Sequence, residues 1–171
     1  MKPIEASPAA LCGANLQVLT ETRQEATGMF DIQYAAESDK AFWFTLDKHM
    51  SEAEFLLKVR DRRAYVIFDG GKPVGILRDN LFWDNLPFLT LIILEESYRG
   101  KGFGRKAMLF WEQEMRELGY KMVMTSTQVD EDAQHFYRRL GYIEKGGLSF
   151  DNTPLEQPLE MFMLKSLIPQ K

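Results

Sequence analysis

The sequence predicts a mixed α/β domain of the α+β type, built on one layer of sheet. Short apolar segments that read as strands alternate along the chain with amphipathic segments that read as helices. Turns that contain glycine separate many of these segments. The length of 171 residues, with 45% apolar and 27% charged residues, matches a single ordinary globular domain.

Local patterns place each element of the first half. Phe88 to Leu94 is apolar throughout, which predicts a central strand buried on both faces. Asp69 to Lys72 holds two glycines, which supply the positive φ of a hairpin turn. Serine and acidic residues at 38–39 and 51–54 mark two helix starts. The other predicted strands of this half lie over 30–34, 64–68 and 74–82.

The second half adds two helices and two strands. A helix over 103–118 stops at Gly119 and another over 130–140 stops at Gly141, because glycine adopts the left-handed conformation that ends a helix. Strands are predicted over 121–126 and 159–164. Residues 1–28 lack a clear apolar stripe, so we treat them as an N-terminal extension to a domain over 29–168.

Charge and composition exclude several classes of function. The 21 basic and 25 acidic residues give a formal net charge of −4, which argues against a nucleic-acid binder. The longest apolar run is far shorter than the ~20 residues of a membrane helix, and no targeting segment is visible. Cys12 is the only cysteine, which excludes an internal disulfide and a multi-thiolate metal site. We expect a cytoplasmic monomer or homodimer without a metal ion, a nucleic acid or a membrane as partner.

A glycine-rich loop after the apolar strand carries the strongest functional signal. It reads Y-R-G-K-G-F-G-R-K over 98–106. Its glycines let the backbone approach a ligand, and the helix that follows offers unpaired N–H groups. The basic side chains add positive charge, so the loop predicts a polyanion site, most simply for a pyrophosphate. The spacing fits neither the Walker A nor the Rossmann pattern, and the alternative is a turn with a solvated basic rim.

The loop and a later helix together resemble the GNAT superfamily of acyl-CoA-dependent N-acetyltransferases. The pyrophosphate loop of that family, Q/R-x-x-G-x-G/A, is matched by Arg99, Gly102 and Gly104. The resemblance covers about Phe30 to Leu167. The second family motif, roughly N-x-x-A-x-x-x-Y-x-x-x-G-F/Y, is matched by Ala133, Tyr137, Gly141 and Tyr142, with Asp130 where Asn is usual.

The resemblance implies a fold and a set of contacts to acetyl-CoA as co-substrate. The fold would be a single mixed, mostly antiparallel sheet of six to seven strands with helices on both faces. The pantetheine arm would pair along Ile92, Ile93 and Leu94, with Asp130 near it. Tyr137 would donate a proton to the departing CoA thiolate. The pyrophosphate would lie against Arg99 and the N–H groups of Gly100, Lys101, Gly102, Phe103, Gly104 and Arg105.

The general base is left open. An amine with a pKa of about 10.4 is protonated at neutral pH and cannot attack a thioester until it loses its proton. Many members of the family place a Glu on the central strand or the next one, but the matching positions here are Phe88 and Thr125. Glu96, Asp84 and His49 are the candidates, and each also fits an ordinary role on the surface or in a turn.

Two functions follow from the resemblance. The first is an acetyltransferase that acts on a primary amine of a small molecule, a peptide or a protein by direct attack. The second is an acyl-CoA-binding regulatory or interaction module with little or no turnover, which the missing carboxylates at 88 and 125 keep open. Release of thiol from acetyl-CoA in the presence of a panel of amines would separate them.

Overall fold

The computed structural model of the chain describes residues 29–168. The expected extension over residues 1–28, with Cys12, lies outside the described residues, so the boundary near residue 29 stays a prediction. Residues 169–171 lie outside them as well. In chain order the helices and strands are β1 (Phe30–Tyr34), α1 (Lys40–Leu46), α2 (Glu52–Arg60), β2 (Ala64–Asp69), β3 (Lys72–Phe82), β4 (Leu86–Leu94), α3 (Phe103–Glu117), β5 (Met122–Gln128), α4 (Ala133–Arg139), β6 (Ile143–Leu148) and β7 (Glu160–Ser166).

All seven strands form one sheet in the order β1-β2-β3-β4-β5-β7-β6. Neighbouring strands are antiparallel except β4 and β5, which run parallel. A parallel pair needs a long crossover connection, and α3 supplies it. The expected fold class, a single mixed and mostly antiparallel sheet flanked by helices, is therefore confirmed. No helix among residues 29–168 is both long and apolar enough to cross a membrane.

Local sequence explains how several of these elements begin and turn. Gly70 and Gly71 have φ values of 56° and 80°, so the expected hairpin turn joins β2 to β3. Ser51 caps α2 by accepting from the N–H of Glu54 at 3.2 Å, and Glu54 Oε2 accepts from the N–H of Ser51 at 2.9 Å. This reciprocal capping box satisfies two N–H groups at the helix start.

The sheet separates two apolar cores. In β2, Tyr65 packs toward α3 and α4, whereas its neighbour Val66 packs toward α1 and α2. Trp111 of α3 anchors the first core and Trp43 of α1 anchors the second, and both are fully buried. Because burying a large apolar side chain contributes about 1.5–3 kcal/mol, the helices are held on both faces mainly by this packing.

Two buried ion pairs lie on opposite faces of β3. Arg63 donates to Asp79 at 2.6 Å on the α3 side, and Arg78 donates to Asp47 at 2.8 Å on the α1 side. Burial raises the pKa of Asp79 to about 6, although the cation of Arg63 opposes this shift. Ionisation of Asp79 in the folded protein is therefore less favourable than ionisation of an exposed Asp.

The strand β6 is absent from the elements that the sequence predicts. Its residues, I-E-K-G-G-L over 143–148, are all exposed. It lies at the edge of the sheet and pairs with β7 alone, so it needs no alternation of apolar and polar residues. A pattern that depends on burial therefore cannot reveal it.

The prediction that the apolar strand is buried on both faces is wrong for the second half of β4. Leu89 is 2% exposed, but residues 90–94 are only half-buried. Along its length β4 pairs with β3, whereas among residues 29–168 it pairs with β5 only through Phe88 and Leu89. The two parallel strands separate beyond Leu89 and leave one edge of β4 open.

Candidate active site

A groove of about 1430 Å³ opens where β4 and β5 separate. Three parts of the chain line it: the end of β4, the glycine-rich loop with the first turn of α3, and α4. Lys101, Phe103 and Asp130, which the sequence also suggests for co-substrate binding, do not line it. The suggested residues that do line it are Ile92, Ile93, Leu94, Arg99, Gly100, Gly102, Gly104, Arg105 and Tyr137.

The open edge of β4 forms one wall of the groove. Beyond Leu89 this edge faces no strand among the described residues, so its backbone N–H and C=O groups are available to a ligand. An extended chain with amide groups can pair with such an edge as an added strand does. The half-buried side chains of Ile92 and Leu94 make this wall apolar.

The glycine-rich loop supplies backbone donors at one end of the groove. Gly100 and Gly102 have φ values of 72° and 87°, and Gly102 is the N-cap of α3. A Cβ atom at either position would meet nothing within 4 Å, so conformation rather than space selects glycine. The backbone N–H groups of residues 100–105 donate no hydrogen bond to another described residue. The first N–H group after them that does so is that of Lys106, which donates to Gly102 O at 3.0 Å.

The two lysines of the loop do not line the groove. Lys101 Nζ lies 5.5 Å from the ring centroid of Tyr98, and Lys106 Nζ lies 5.4 Å from that of Phe30. These distances are typical of cation–π contacts, so both side chains rest on aromatic rings at the surface. The positive charge that faces the groove is therefore smaller than the sequence suggests.

Two arginines of the same segment do line the groove. Arg99 donates from Nε to the carbonyl oxygen of Leu94 at 3.2 Å, which ties the loop to the end of β4. Arg105 lies in the first turn of α3, is exposed, and makes no hydrogen bond or ion pair with another described residue. The N–H groups and Arg105 together could hold an anion at the helix N-terminus.

Tyr137 lies at the other end of the groove. It is 7% exposed, and its hydroxyl lies within hydrogen-bond reach of Thr125, which itself donates to Leu89 O at 3.2 Å. Burial raises the pKa of Tyr137, the contact with Thr125 opposes this, and the charges of Glu131 and Glu160 raise it further. The phenol therefore holds its proton at neutral pH and can donate it.

The helix α4 begins later than the sequence suggests. The predicted start is Asp130, whereas α4 starts at Ala133 with Asp132 as N-cap. The preceding residues form a turn because the carboxylate of Glu131 accepts from Thr127 Oγ1 at 2.7 Å, which draws the chain back to β5. Asp130 is exposed, does not line the groove and is not the N-cap, while Glu131 and Asp132 do line it.

The three candidates for the general base do not line the groove. Glu96 is exposed at the start of a short 3₁₀ turn after β4. Asp84 is exposed in the turn between β3 and β4, with a φ of 62°. His49 is exposed after α1, where its N–H donates to Asp47 Oδ1 at 3.3 Å. Their role as base stays a prediction.

Glu160 is the carboxylate that the sequence reasoning missed. It is half-buried at the start of β7, directly opposite Gln128 at the end of β5, and it accepts from Gln157 Nε2 at 3.3 Å. Its neighbour Met161 faces the core beneath α3 and α4, so Glu160 faces the other side of the sheet. Only the pairing of β5 with β7 brings this carboxylate near Tyr137, and no local pattern signals it.

Three half-buried aromatic rings lie on the same side of the sheet as Glu160. The ring centroids of Phe82, Phe88 and Phe162 are 6.1 to 6.4 Å apart. Phe88 occupies the position where the family resemblance leads one to look for a Glu, and it lies where β4 and β5 begin to separate. These rings therefore form an apolar surface near the Tyr137 end of the groove, on the face of the sheet opposite to α4.

The open strand edge, the N–H-lined loop and the buried phenol border one groove, and comparison with known proteins places the chain in a class of transferases. A family model described as the acetyltransferase (GNAT) family matches residues 21–142. The chain therefore belongs to the GNAT acetyltransferase family, which confirms the resemblance seen in the sequence.

Several solved structures of low sequence identity share the fold of this chain. Ard1 from Thermoplasma volcanium is 17% identical with a TM-score of 0.71, and the match covers 82% of this chain and 99% of that one. A ribosomal-protein alanine N-acetyltransferase from Escherichia coli is 17% identical with a TM-score of 0.69, over 84% and 97% of the chains. Arabidopsis thaliana Naa50, in complex with the bisubstrate analogue CoA-Ac-MVNAL, is 12% identical with a TM-score of 0.67, over 80% and 98%. No curated protein matches the sequence.

Proposed function

We propose that the chain transfers an acetyl group from acetyl-CoA to a primary amine of a small molecule, a peptide or a protein by direct attack. The observation that carries the proposal is the continuity of one groove. The open edge of β4, the loop residues Gly100, Gly102, Gly104 and Arg105 with their unpaired N–H groups, and Tyr137 all border the same space of about 1430 Å³. That volume exceeds the about 300–1,000 Å³ of an ordinary small-molecule pocket and suits a long nucleotide thioester.

The loop and the strand position the co-substrate, and Tyr137 acts on its sulfur. A neutral amine attacks the thioester carbon, the carbon–sulfur bond breaks, and Tyr137 donates its proton to the departing sulfur. The new amide nitrogen loses its surplus proton to solvent, and a proton from solvent restores the phenol of Tyr137. The apolar surroundings that raise the pKa of Tyr137 also raise the pKa of a thiol buried beside it, so the proton transfer remains feasible. General acid catalysis of this kind contributes about 10²–10⁴ in rate.

Glu160 is our candidate for the base that prepares the amine. It is half-buried and lies close enough to Tyr137 for its charge to affect the pKa of the phenol. A carboxylate on this side of the sheet holds an ammonium group by charge and can accept its proton directly or through one water. None of Glu96, Asp84 and His49 is among the charges that shift the pKa of Tyr137, whereas Glu160 is.

The acceptor is proposed to approach from the side of Phe82, Phe88 and Phe162. Their three rings offer an apolar surface, and Glu160 supplies the negative charge next to it. The names of similar structures support an amine acceptor, because one acts on an alanine of a ribosomal protein and another is bound to an analogue that joins CoA to a peptide. We also retain the cytoplasm as the proposed location.

A thiol-release assay tests this proposal. Purified protein is incubated with acetyl-CoA and a panel of free-amine peptides, arylalkylamines and polyamines, and released CoA and acetylated product are both measured. We expect stoichiometric product with at least one amine. Tight binding of acetyl-CoA without transfer to any member would overturn the proposal and favour an acyl-CoA-binding module.

A further inference from the structure

One cationic side chain of the groove has no role in the proposal above. Arg139 lies at the end of α4 and lines the groove together with Asp132 and Phe136. The spacing of four and then three residues places all three on one face of the helix. The helix therefore presents a guanidinium to the groove from an element other than the glycine-rich loop.

The neighbouring arginine provides a direct contrast. Arg138 does not line the groove. It donates to Glu144 Oε2 at 3.1 Å and to Gln134 Oε1 at 2.5 Å, so its charge is already partnered. Arg139 makes no hydrogen bond or ion pair with any other residue in the described range 29–168, and it is exposed. A cation that is free of protein partners is available to bind an anion.

The loop can hold a pyrophosphate without Arg139. Its unpaired N–H groups over 100–105 and the guanidinium of Arg105 converge at the N-terminus of α3. Arg99 adds a third source of positive charge, and it is anchored to Leu94 O. The two phosphates of a pyrophosphate diester would therefore find partners in the loop and the start of α3, whereas Arg139 belongs to α4.

We propose that Arg139 binds a third phosphate, the 3′-phosphomonoester of coenzyme A, and makes the protein prefer CoA over 3′-dephospho-CoA. This inference rests on the proposed function, since it assumes that the groove holds CoA. A phosphomonoester carries a charge of about −1.5 to −2 at neutral pH, and a guanidinium matches its oxygens in bidentate fashion. The 3′-phosphate is also the one phosphate outside the pyrophosphate, so it needs a separate partner.

Calorimetric titration with CoA and with 3′-dephospho-CoA tests the assignment. The proteins compared are the wild type, Arg139→Gln, and the matched control Arg138→Gln, each checked by thermal unfolding. We expect the wild type and Arg138→Gln to bind CoA about tenfold more tightly than dephospho-CoA. Arg139→Gln should lose this preference because its affinity for CoA falls while its affinity for dephospho-CoA stays the same.

The titration separates this assignment from failure of the proposed function. Equal affinity of the wild type for both ligands, or an equal loss of both in Arg139→Gln, would overturn the assignment to the 3′-phosphate. No binding of either ligand would overturn the proposed function together with it. Binding of CoA without acetyl transfer would overturn only the proposed transfer, and the ratio of the two affinities would still decide the role of Arg139.

A pH series adds a readout that a structural role would not change. The second ionisation of a phosphomonoester has a pKa of about 6, so its charge falls below that pH. The preference for CoA should therefore decrease between pH 7 and pH 5 in the wild type and in Arg138→Gln. In Arg139→Gln the ratio of the two affinities should stay flat, and a parallel decrease in all three proteins would contradict the assignment.

Discussion

The two edges of β4 differ in how their backbone groups are used. One edge pairs with β3 from Leu86 to Leu94, and the chain even continues this pairing when Glu95 N donates to Val74 O at 2.9 Å. The other edge pairs with β5 only through Phe88 and Leu89 within the described residues. One edge of β4 is thus closed by a neighbouring strand, and the other edge is open to the groove.

This difference shows how the fold keeps a strand edge open without losing the strand. The closed edge holds β4 tightly enough that Gly75 of β3 has no room for a Cβ atom, which would lie 2.8 Å from Ile93 O. Arg99 then secures the free end through Leu94 O at 3.2 Å. The position of this wall of the groove therefore depends on packing at the edge of β4 that faces β3.

The largest expected effect is at the phenol beside the open edge. Tyr137→Phe should lower kcat by about 10²–10³ because it removes the proton donor to the leaving sulfur. The affinity for CoA should change little, since the loop and the strand edge remain intact. Stopped assays with acetyl-CoA and the best amine of the panel measure kcat, and calorimetry measures CoA binding.

A control at Thr125 sharpens this result. Thr125→Val removes the hydroxyl within reach of Tyr137 and keeps the side-chain shape. We expect a smaller loss of kcat, on the order of tenfold, because the phenol keeps its proton and loses only the hydroxyl that positions it, although the bond from Thr125 to Leu89 O is lost as well. A rate for Tyr137→Phe within a factor of two of the wild type would show that the phenol is only part of the core.

The next largest effect is at the closed edge. Gly75→Ala should lower the free energy of unfolding by about 1–3 kcal/mol, because the new Cβ clashes with the backbone of β4 and with Leu94. It should also weaken CoA binding, since the displaced strand is the wall of the groove. Chemical denaturation and calorimetry measure the two effects.

Gly104→Ala is the matched control on the groove side. Its Cβ would meet Phe136 at 3.6 Å and Leu94 at 3.8 Å, which are ordinary contacts. We expect normal stability, because α3 tolerates alanine and no atom must move. Equal stability losses for Gly75→Ala and Gly104→Ala would contradict the view that the closed edge is the tight one.

The sequence predicts those features of the groove that depend on local conformation. The positive φ of Gly100 and Gly102 and the helix that follows are local features, so the loop can be predicted from a short segment. Tyr137 follows from the family motif together with its place on the apolar face of a helix. These features need no knowledge of which strands are neighbours.

Sequence reasoning fails where the site depends on long-range pairing. An apolar strand such as β4 has the same pattern whether its second edge is paired or open, so the groove is invisible in the sequence. Glu160 becomes relevant only because β7 lies beside β5. Arg138 and Arg139 are adjacent and identical, and only the orientation of α4 decides which one faces the groove.

A third prediction concerns Asp79, the buried carboxylate of β3 that pairs with Arg63. The pKa of Asp79 is about 6 in the folded protein, above the value of an exposed Asp, so folding favours the protonated form. Its contribution to stability is therefore greatest below about pH 4 and is lost as the pH rises to about 6. Asp79→Asn cannot titrate, so its stability relative to the wild type should rise by about 1–3 kcal/mol between pH 4 and pH 7. Urea denaturation at several pH values measures this difference, and a constant difference would contradict the raised pKa.

The smallest expected effect is at Glu160, on the acceptor side of the open edge. Glu160→Gln should lower kcat/KM for the amine by about tenfold near neutral pH, because the base that takes the ammonium proton is lost. The loss should shrink as the pH rises towards the pKa of the amine, since solvent then supplies the neutral form. Glu156→Gln is the control, because Glu156 is exposed in the loop that leads into β7. If the loss at Glu160→Gln were the same at every pH, the carboxylate would hold the acceptor without acting as its base.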